Sequence, residues 1–167
     1  MASNVLNLTR VENQSILTEV SHFNVSEQVR SALLLLEERW SEKEMELELE
    51  LDEYYIEANE ELLKQVWINL IDNAIKFSPK GATLSVEAEA KDGVLSFKIS
   101  NTGSEIPKNK QTKIFNKFYQ ADESHSTAGN GIGLAIVKRI VALHGGEVGV
   151  VSENNTTQFL VKLPEMQ

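Results

Sequence analysis

Two asparagines and a lysine interrupt an otherwise apolar helical segment, NLIDNAIKF at residues 69–77. Helix interiors disfavour Asn, whose short amide competes for nearby backbone groups. On a wheel advancing about 100° per residue, Asn69, Asn73 and Lys76 fall within an arc of roughly 60°. Leu63, Trp67, Leu70, Ile71 and Ala74 gather on the opposite side. This helix therefore has a core face and a separate amide-and-ammonium face, and a merely solvated outer face is the plain alternative. A second segment, GNGIGLAIVKRI, sets Gly129, Gly131 and Gly133 at alternate positions directly before a well-patterned helix. Alternate glycines let backbone N–H groups turn inward toward an anion, and the helix that follows adds its positive end, which is phosphate-binding chemistry. The spacing is neither GxGxxG nor that of a P-loop, and a polar loop precedes it, so the Rossmann and Walker readings fail. A flexible linker is the alternative for such glycines. A third stretch, NTGSEIP at 101–107, follows a strand pattern, so Asn101 stands at a strand end with Gly103 and Pro107 shaping the turn beyond.

The elements that must position these residues are read from periodicity. FNVSEQVRSALLLLEERW predicts an amphipathic helix from Asn24 to about Trp40, with Glu27 three residues after Asn24 as in a capping box. MELELEL alternates strictly and predicts a strand with one wet face, and YYIEAN a second short strand. The helix carrying NLIDNAIKF runs from Glu60 to about Phe77, where Ser78, Pro79 and Gly81 end it. TLSVEAEA and VLSFKIS form a hairpin closed by Asp92 and Gly93. KNKQTKIFNKF is a short helical stretch, followed by the polar loop YQADESHSTAGN. A last helix from about Gly133 to Leu143 stops at Gly145 and Gly146, and EVGVVSE and TQFLVKLP form the closing hairpin. The pattern predicts an α+β fold: a two-layer α/β sandwich with a mostly antiparallel mixed sheet and three main helices on one face.

Composition narrows the function. At 167 residues and 41% hydrophobic content the chain is most simply one domain with a real core. No apolar run approaches a membrane span, and no secretory leader is expected. Without cysteine there is no disulfide framework, thiolate nucleophile or thiolate metal site. A net charge of −9 argues against a broad nucleic-acid surface, so an anionic ligand must be held locally by a helix N-terminus, a glycine nest, one lysine or a divalent cation.

Taken in order, NLIDNAIKF, NTGSEIP, IFNKFYQ and GNGIGLAIVKRIVALHGG resemble the sequence boxes of the ATP-binding catalytic domain of bacterial sensor histidine kinases, a Bergerat-fold superfamily shared with gyrase-type and mismatch-repair ATPases. The likeness covers about residues 23 to 164. It implies that residues 21–167 are the ATP-binding domain, with a lid at about 119–132, and that 1–20 are the end of a dimerisation helix and its linker. It implies ATP and Mg²⁺ as ligands, with Asn73 a metal ligand and Asn69 assisting it. Lys76 resembles the phosphate-contacting lysine and Phe77 the aromatic position bordering the nucleotide. Asn101, Gly103 and Ile106 correspond to the second box. Phe118 and Tyr119 match the aromatic box before the lid, and Gly129, Gly131, Gly133 and Leu134 match the last box.

Two positions depart from the family. Most relatives begin the second box with Asp, which accepts from the adenine amino group, and this chain has Asn101. Glu105 stands where the box's second glycine would be, which predicts a tighter or more acidic rim. The glutamate that serves gyrase-like relatives as general base is also replaced, by Asn69, so the resemblance favours the histidine kinase branch over hydrolysis.

The resemblance implies protein histidine kinase activity in a full-length homodimer anchored in the cell membrane, this domain being cytoplasmic and monomeric by itself. The implied partners are the kinase's own dimerisation and phosphoacceptor domain and a response regulator, with no nucleic acid. His22, His125 and His144 lack the family's phosphoacceptor context, so the acceptor is expected outside this chain and no catalytic residue within it is assigned. A non-catalytic nucleotide-binding or protein-interaction module of the same fold is the alternative.

Overall fold

The computed structural model describes residues 16–116 and 133–164. A five-stranded sheet has the order β2-β4-β5-β7-β6, and β1 and β3 form a separate two-stranded sheet. The strands are β1 (Ser21–Asn24), β2 (Glu46–Glu50), β3 (Tyr55–Ala58), β4 (Thr83–Lys91), β5 (Val94–Thr102), β6 (Glu147–Glu153) and β7 (Thr156–Pro164). The helices are α1 (Val25–Leu35), α2 (Glu37–Glu42), α3 (Glu60–Lys76), α4 (Lys108–Gln111) and α5 (Gly133–Leu143). Only β2 and β4 pair in parallel in the larger sheet; its other neighbours are antiparallel. This is the expected mixed α+β sandwich.

Register explains the core. Val86, Ile99, Phe159 and Val150 are cross-strand neighbours on one face, as are Ala88, Phe97, Val161 and Val148. That face meets the helices: the Trp67 ring of α3 packs on Phe97 with centroids 4.6 Å apart. Leu63, Trp67, Leu70, Ile71 and Ala74 are all buried, as the helical wheel required. The same row of the sheet ends in Asn101, Thr157 and Ser152, which are cross-strand neighbours and buried. One end of an otherwise apolar face is therefore polar.

Three local features differ from the sequence expectation. The first helix breaks at Leu36, which has φ −101° and ψ 12°. There the Trp40 indole N–H donates to the Leu33 carbonyl at 2.9 Å, an insertion of a side-chain donor of the kind that kinks helices. Asn24 does cap α1, its side chain accepting from the Glu27 N–H at 2.9 Å, but the Glu27 carboxylate pairs with Arg30, so the reciprocal half of the capping box is absent. The strand β1, antiparallel to β3, was not anticipated, and in it His22 stacks on Tyr55 with ring centroids 5.5 Å apart.

Both hairpins close through left-handed residues, Asp92 and Gly93 in one and Asn154 and Asn155 in the other. The strand twist favours such turns. The helix α5 ends as foreseen: Gly145 has φ +76°, its N–H reaches the Ala142 carbonyl, and the Gly146 N–H reaches Val141.

Asn59 joins three segments. Its side-chain oxygen caps α3 by accepting from the Leu62 N–H at 3.0 Å, and its amide NH₂ donates to the Thr18 carbonyl at 2.9 Å. Its backbone N–H donates to His144 Nε2 at 3.1 Å. With Nδ1 2.8 Å from the Ile140 carbonyl, His144 is the neutral tautomer protonated at Nδ1. Burial pushes its pKa below 6.5, outweighing the opposing effect of the Ile140 carbonyl. The unfolded chain then binds the proton more readily than the folded one, so this contribution to stability is present above about pH 6.5 and is lost as pH falls below it. In thermal melts, His144→Gln should lower the midpoint at about pH 8 yet lose less than the wild type between about pH 7 and about pH 5. Parallel curves would show that His144 is not the titrating group.

Candidate functional site

The helix α3 carries the polar stripe because its apolar stripe is fixed to the sheet. Asn69 Nδ2 donates to the Gln65 carbonyl and Asn73 Nδ2 to the Asn69 carbonyl, each at 2.8 Å. Both amides are thereby oriented, with NH₂ turned back along the helix. Among the described residues, no hydrogen bond occupies either Oδ1. Two amide oxygens one turn apart, neither with a described hydrogen-bond donor, are hard donors suited to a hard divalent cation.

Lys76 lies in the last turn, half-buried, with Nζ 5.0 Å from the centroid of the Phe77 ring. Burial lowers its pKa and the positive charge of Arg39 adds to that effect. An anion placed against Lys76 would oppose both influences by favouring the charged form. Arg39 pairs with Asp72, so the carboxylate beside Asn73 already has a cationic partner.

The carbonyls at the end of α3 are gathered by Lys43, whose Nζ donates to Ile75 at 2.7 Å, Lys76 at 3.0 Å and Ser78 at 2.8 Å. Burial, with a smaller effect from Arg39, lowers the Lys43 pKa, while three carbonyl acceptors favour the ammonium form. This lysine holds the backbone on which Lys76 and Phe77 stand, and no sequence pattern marked it.

Two glycines bring separate segments against α3. A Cβ on Gly133 would lie 3.0 Å from Asn69 Oδ1, so the first residue of α5 abuts the polar stripe. Gly103 has φ +86°, and a Cβ there would lie 2.5 Å from Pro79 Cγ, so the loop after β5 packs on the end of α3. Leu134 and Ile106 are partly buried against the core. Asn101 is 2% exposed, and its NH₂ donates to Ser104 Oγ at 2.9 Å.

A hydroxyl network holds the loop to β6 and β7. The Ile106 N–H donates to Ser152 Oγ at 2.7 Å, Ser152 Oγ is 2.8 Å from Thr157 Oγ1, and Thr157 Oγ1 donates to the Ser104 carbonyl at 3.2 Å. Glu105 is exposed on this loop. Its carboxylate accepts from the Asn155 N–H at 3.0 Å, on the tip of the closing hairpin.

The structure thus brings Asn69, Asn73, Lys76, Phe77, Gly103 and Gly133 to one helix and its immediate neighbours, with Asn101 at the polar end of the sheet. Phe118, Tyr119, Gly129, Gly131 and the expected lid lie outside the described residues, as does His125. Among the described residues there is no cluster of His, Asp and Glu able to hold a metal by itself, so a cation here needs amide oxygens and its own ligand's oxygens. No described helix is long and apolar enough to cross a membrane.

A two-layer sandwich with amide oxygens, a lysine and a helix N-terminus at one end has the chemistry to take an anionic ligand together with a hard cation. Residues 58–167 match the family model described as Histidine kinase-, DNA gyrase B-, and HSP90-like ATPase, and the chain belongs to this family of ATP-binding domains. It is 31% identical over 166 residues to the sensor histidine kinase CusS of Escherichia coli O6:H1, covering 98% of this chain and 35% of CusS. The chain thus spans about a third of the length of the curated relatives it matches. Full-length ShkA in complex with AMPPNP superposes with a TM-score of 0.85 at 29% identity, covering 98% of this chain and 35% of ShkA. The histidine kinase ThkA, solved in complex with the response regulator protein TrrA, superposes with a TM-score of 0.80 at 25% identity, covering 97% of this chain and 46% of ThkA.

The two positive-φ glycines provide a test of the loop packing. Gly93 has φ +76° but open space around it, whereas Gly103 meets Pro79. Gly93→Ala should cost about 1 kcal/mol and Gly103→Ala about 3 kcal/mol in urea denaturation, the excess coming from overpacking. Equal costs would mean that the loop swings freely away from Pro79.

Proposed function

We propose that this chain is the catalytic domain of a two-component sensor histidine kinase, binding Mg-ATP and donating the γ-phosphate to a histidine on a separate dimerisation domain. From there the phosphoryl group passes to a response regulator. The observation that carries this reading is the orientation of Asn69 and Asn73, whose NH₂ groups are spent on helix carbonyls while neither Oδ1 takes a hydrogen bond from a described residue. In this reading Asn73 is the metal ligand and Asn69 supports it or a metal-bound water. Lys76 contacts phosphate, and Phe77 and Ile106 border the nucleotide. Asn101 reads the base from its buried position, and Gly103, Gly133 and Leu134 let backbone approach the ligand. Phe118, Tyr119, Gly129 and Gly131 belong to the proposed lid region. Residues 1–20 are read as the end of the dimerisation helix and linker, and 21–167 as the catalytic domain.

The chain's own contribution is positioning and electrostatics, as phosphoryl transfer requires. When bound, Mg²⁺ supplies charge neutralisation across the phosphate oxygens. Lys76 adds a positive charge whose proton affinity an anion would restore. Asn69 stands where hydrolytic relatives have a glutamate, and an amide takes no proton at neutral pH, so water is not activated there. Transfer to an imidazole brought from outside fits that chemistry. The names of CusS and of ThkA with TrrA support a histidine kinase with a response-regulator partner; a membrane-anchored homodimer as the parent protein is part of the same proposal.

The test is calorimetry with a non-hydrolysable ATP analogue. Binding should require Mg²⁺, and Asn73→Ala should weaken it at least about 100-fold with the thermal midpoint of the free protein little changed. Binding indifferent to both Mg²⁺ and Asn73 would reject the site. The chain alone should not stably label any of its three histidines from labelled ATP, whereas an added phosphoacceptor-helix fragment should become labelled. Tight binding without transfer to that fragment would mark a nucleotide-sensing module instead.

A further inference from the structure

Asn101 is almost wholly buried at the polar end of the sheet, and its one described side-chain partner is the hydroxyl of Ser104, at 2.9 Å. We propose that Asn101 and Ser104 form a reversible base reader, admitting 6-oxopurine as well as 6-aminopurine nucleoside triphosphates. The proposal rests on the reading of Asn101 as the residue facing the base.

An amide carries an acceptor and a donor side by side. Against adenine, Oδ1 accepts from the 6-amino group while Nδ2 donates to N1. Turned by 180° about its last bond, the same amide donates from Nδ2 to O6 of hypoxanthine or guanine and accepts at Oδ1 from N1–H. Both edges are matched without any movement of the backbone.

The partner decides whether that turn is open. A backbone N–H or carbonyl would fix one orientation, since each plays a single role. A hydroxyl plays both: Ser104 Oγ accepts from Nδ2 in one orientation and donates to Oδ1 in the other. Among the described residues no other hydrogen bond engages Ser104 Oγ. The backbone beneath is held independently, by Thr157 on the Ser104 carbonyl and Ser152 on the Ile106 N–H. The turn is therefore a side-chain event. The loop's carboxylate, Glu105, makes its described hydrogen bond with the Asn155 N–H at the hairpin tip and none with Asn101 or Ser104. A carboxylate at position 101 would behave differently: with acceptors only, it would face O6 with repulsion.

Inosine triphosphate isolates the effect, since it changes the 6-position and N1 without adding the 2-amino group of guanine. Calorimetric titration of the 167-residue chain with ATP and ITP, each with Mg²⁺, should give dissociation constants within about tenfold of each other. Asn101→Asp should retain ATP binding and widen the ratio by at least about tenfold against ITP. Ser104→Ala should weaken both ligands alike, by a few fold, and a loss confined to one ligand would remove Ser104 from the proposal. If wild-type ITP binding is more than about 100-fold weaker than ATP while Asn101→Ala still weakens ATP, the reversible reader is wrong and the base-facing role of Asn101 stands. If Asn101→Ala changes neither ligand, that role falls and the proposal with it.

Discussion

The packing of Trp67 on Phe97 fixes the rotation of α3, and nearly everything at the site follows from that rotation. A helix has one azimuth: once its apolar stripe is buried against a sheet, its polar stripe has no choice of direction. Trp67, Leu63, Leu70 and Ile71 are all fully buried, and losing an aromatic of that size from a core costs about 3 to 5 kcal/mol. Asn69, Asn73 and Lys76 are thereby aimed by residues that never touch a ligand.

Around that fixed helix the other segments are held by close approach and by a few directed hydrogen bonds. Pro79 leaves no room for a side chain at Gly103, and Asn69 leaves little at Gly133. Lys43 supplies three hydrogen bonds to carbonyls at and just beyond the end of α3, where helices leave orphan acceptors. The polar end of the sheet continues the same logic. Asn101, Thr157 and Ser152 occupy positions that the strand alternation points at the helices, but beyond the last apolar layer, so their hydroxyls and amide are satisfied by one another and by the loop.

Much of this was legible in the sequence because it is local. The period of α3, the Asp92–Gly93 turn, the Asn24 cap and the glycine end of α5 all announce themselves within a few residues. What escaped depends on partners far along the chain. The strand β1 is four residues long and owes its existence to β3, more than thirty residues away; no alternation of that length distinguishes it from a loop. The kink at Leu36 comes from the Trp40 indole, whose apolar periodicity reads as unbroken helix. The parallel pairing of β2 with β4 is invisible in composition, since an exposed edge strand alternates in the same way in either direction. At the site, residue identities suggested chemistry, but only coordinates show that Glu105 turns to the hairpin and that Lys43 belongs to the end of α3.

The junction at Asn59 has a consequence for how substitutions combine. One residue supplies the cap for Leu62, the donor for Thr18 and the donor for His144, so these three bonds share a single pivot. Energies measured one substitution at a time around it will not sum, because loosening any arm changes the geometry available to the others. The start of α3, the end of α5 and the stretch before β1 thus form one cooperative unit, although they are separated by up to 126 residues along the chain (Thr18 to His144, 144 − 18).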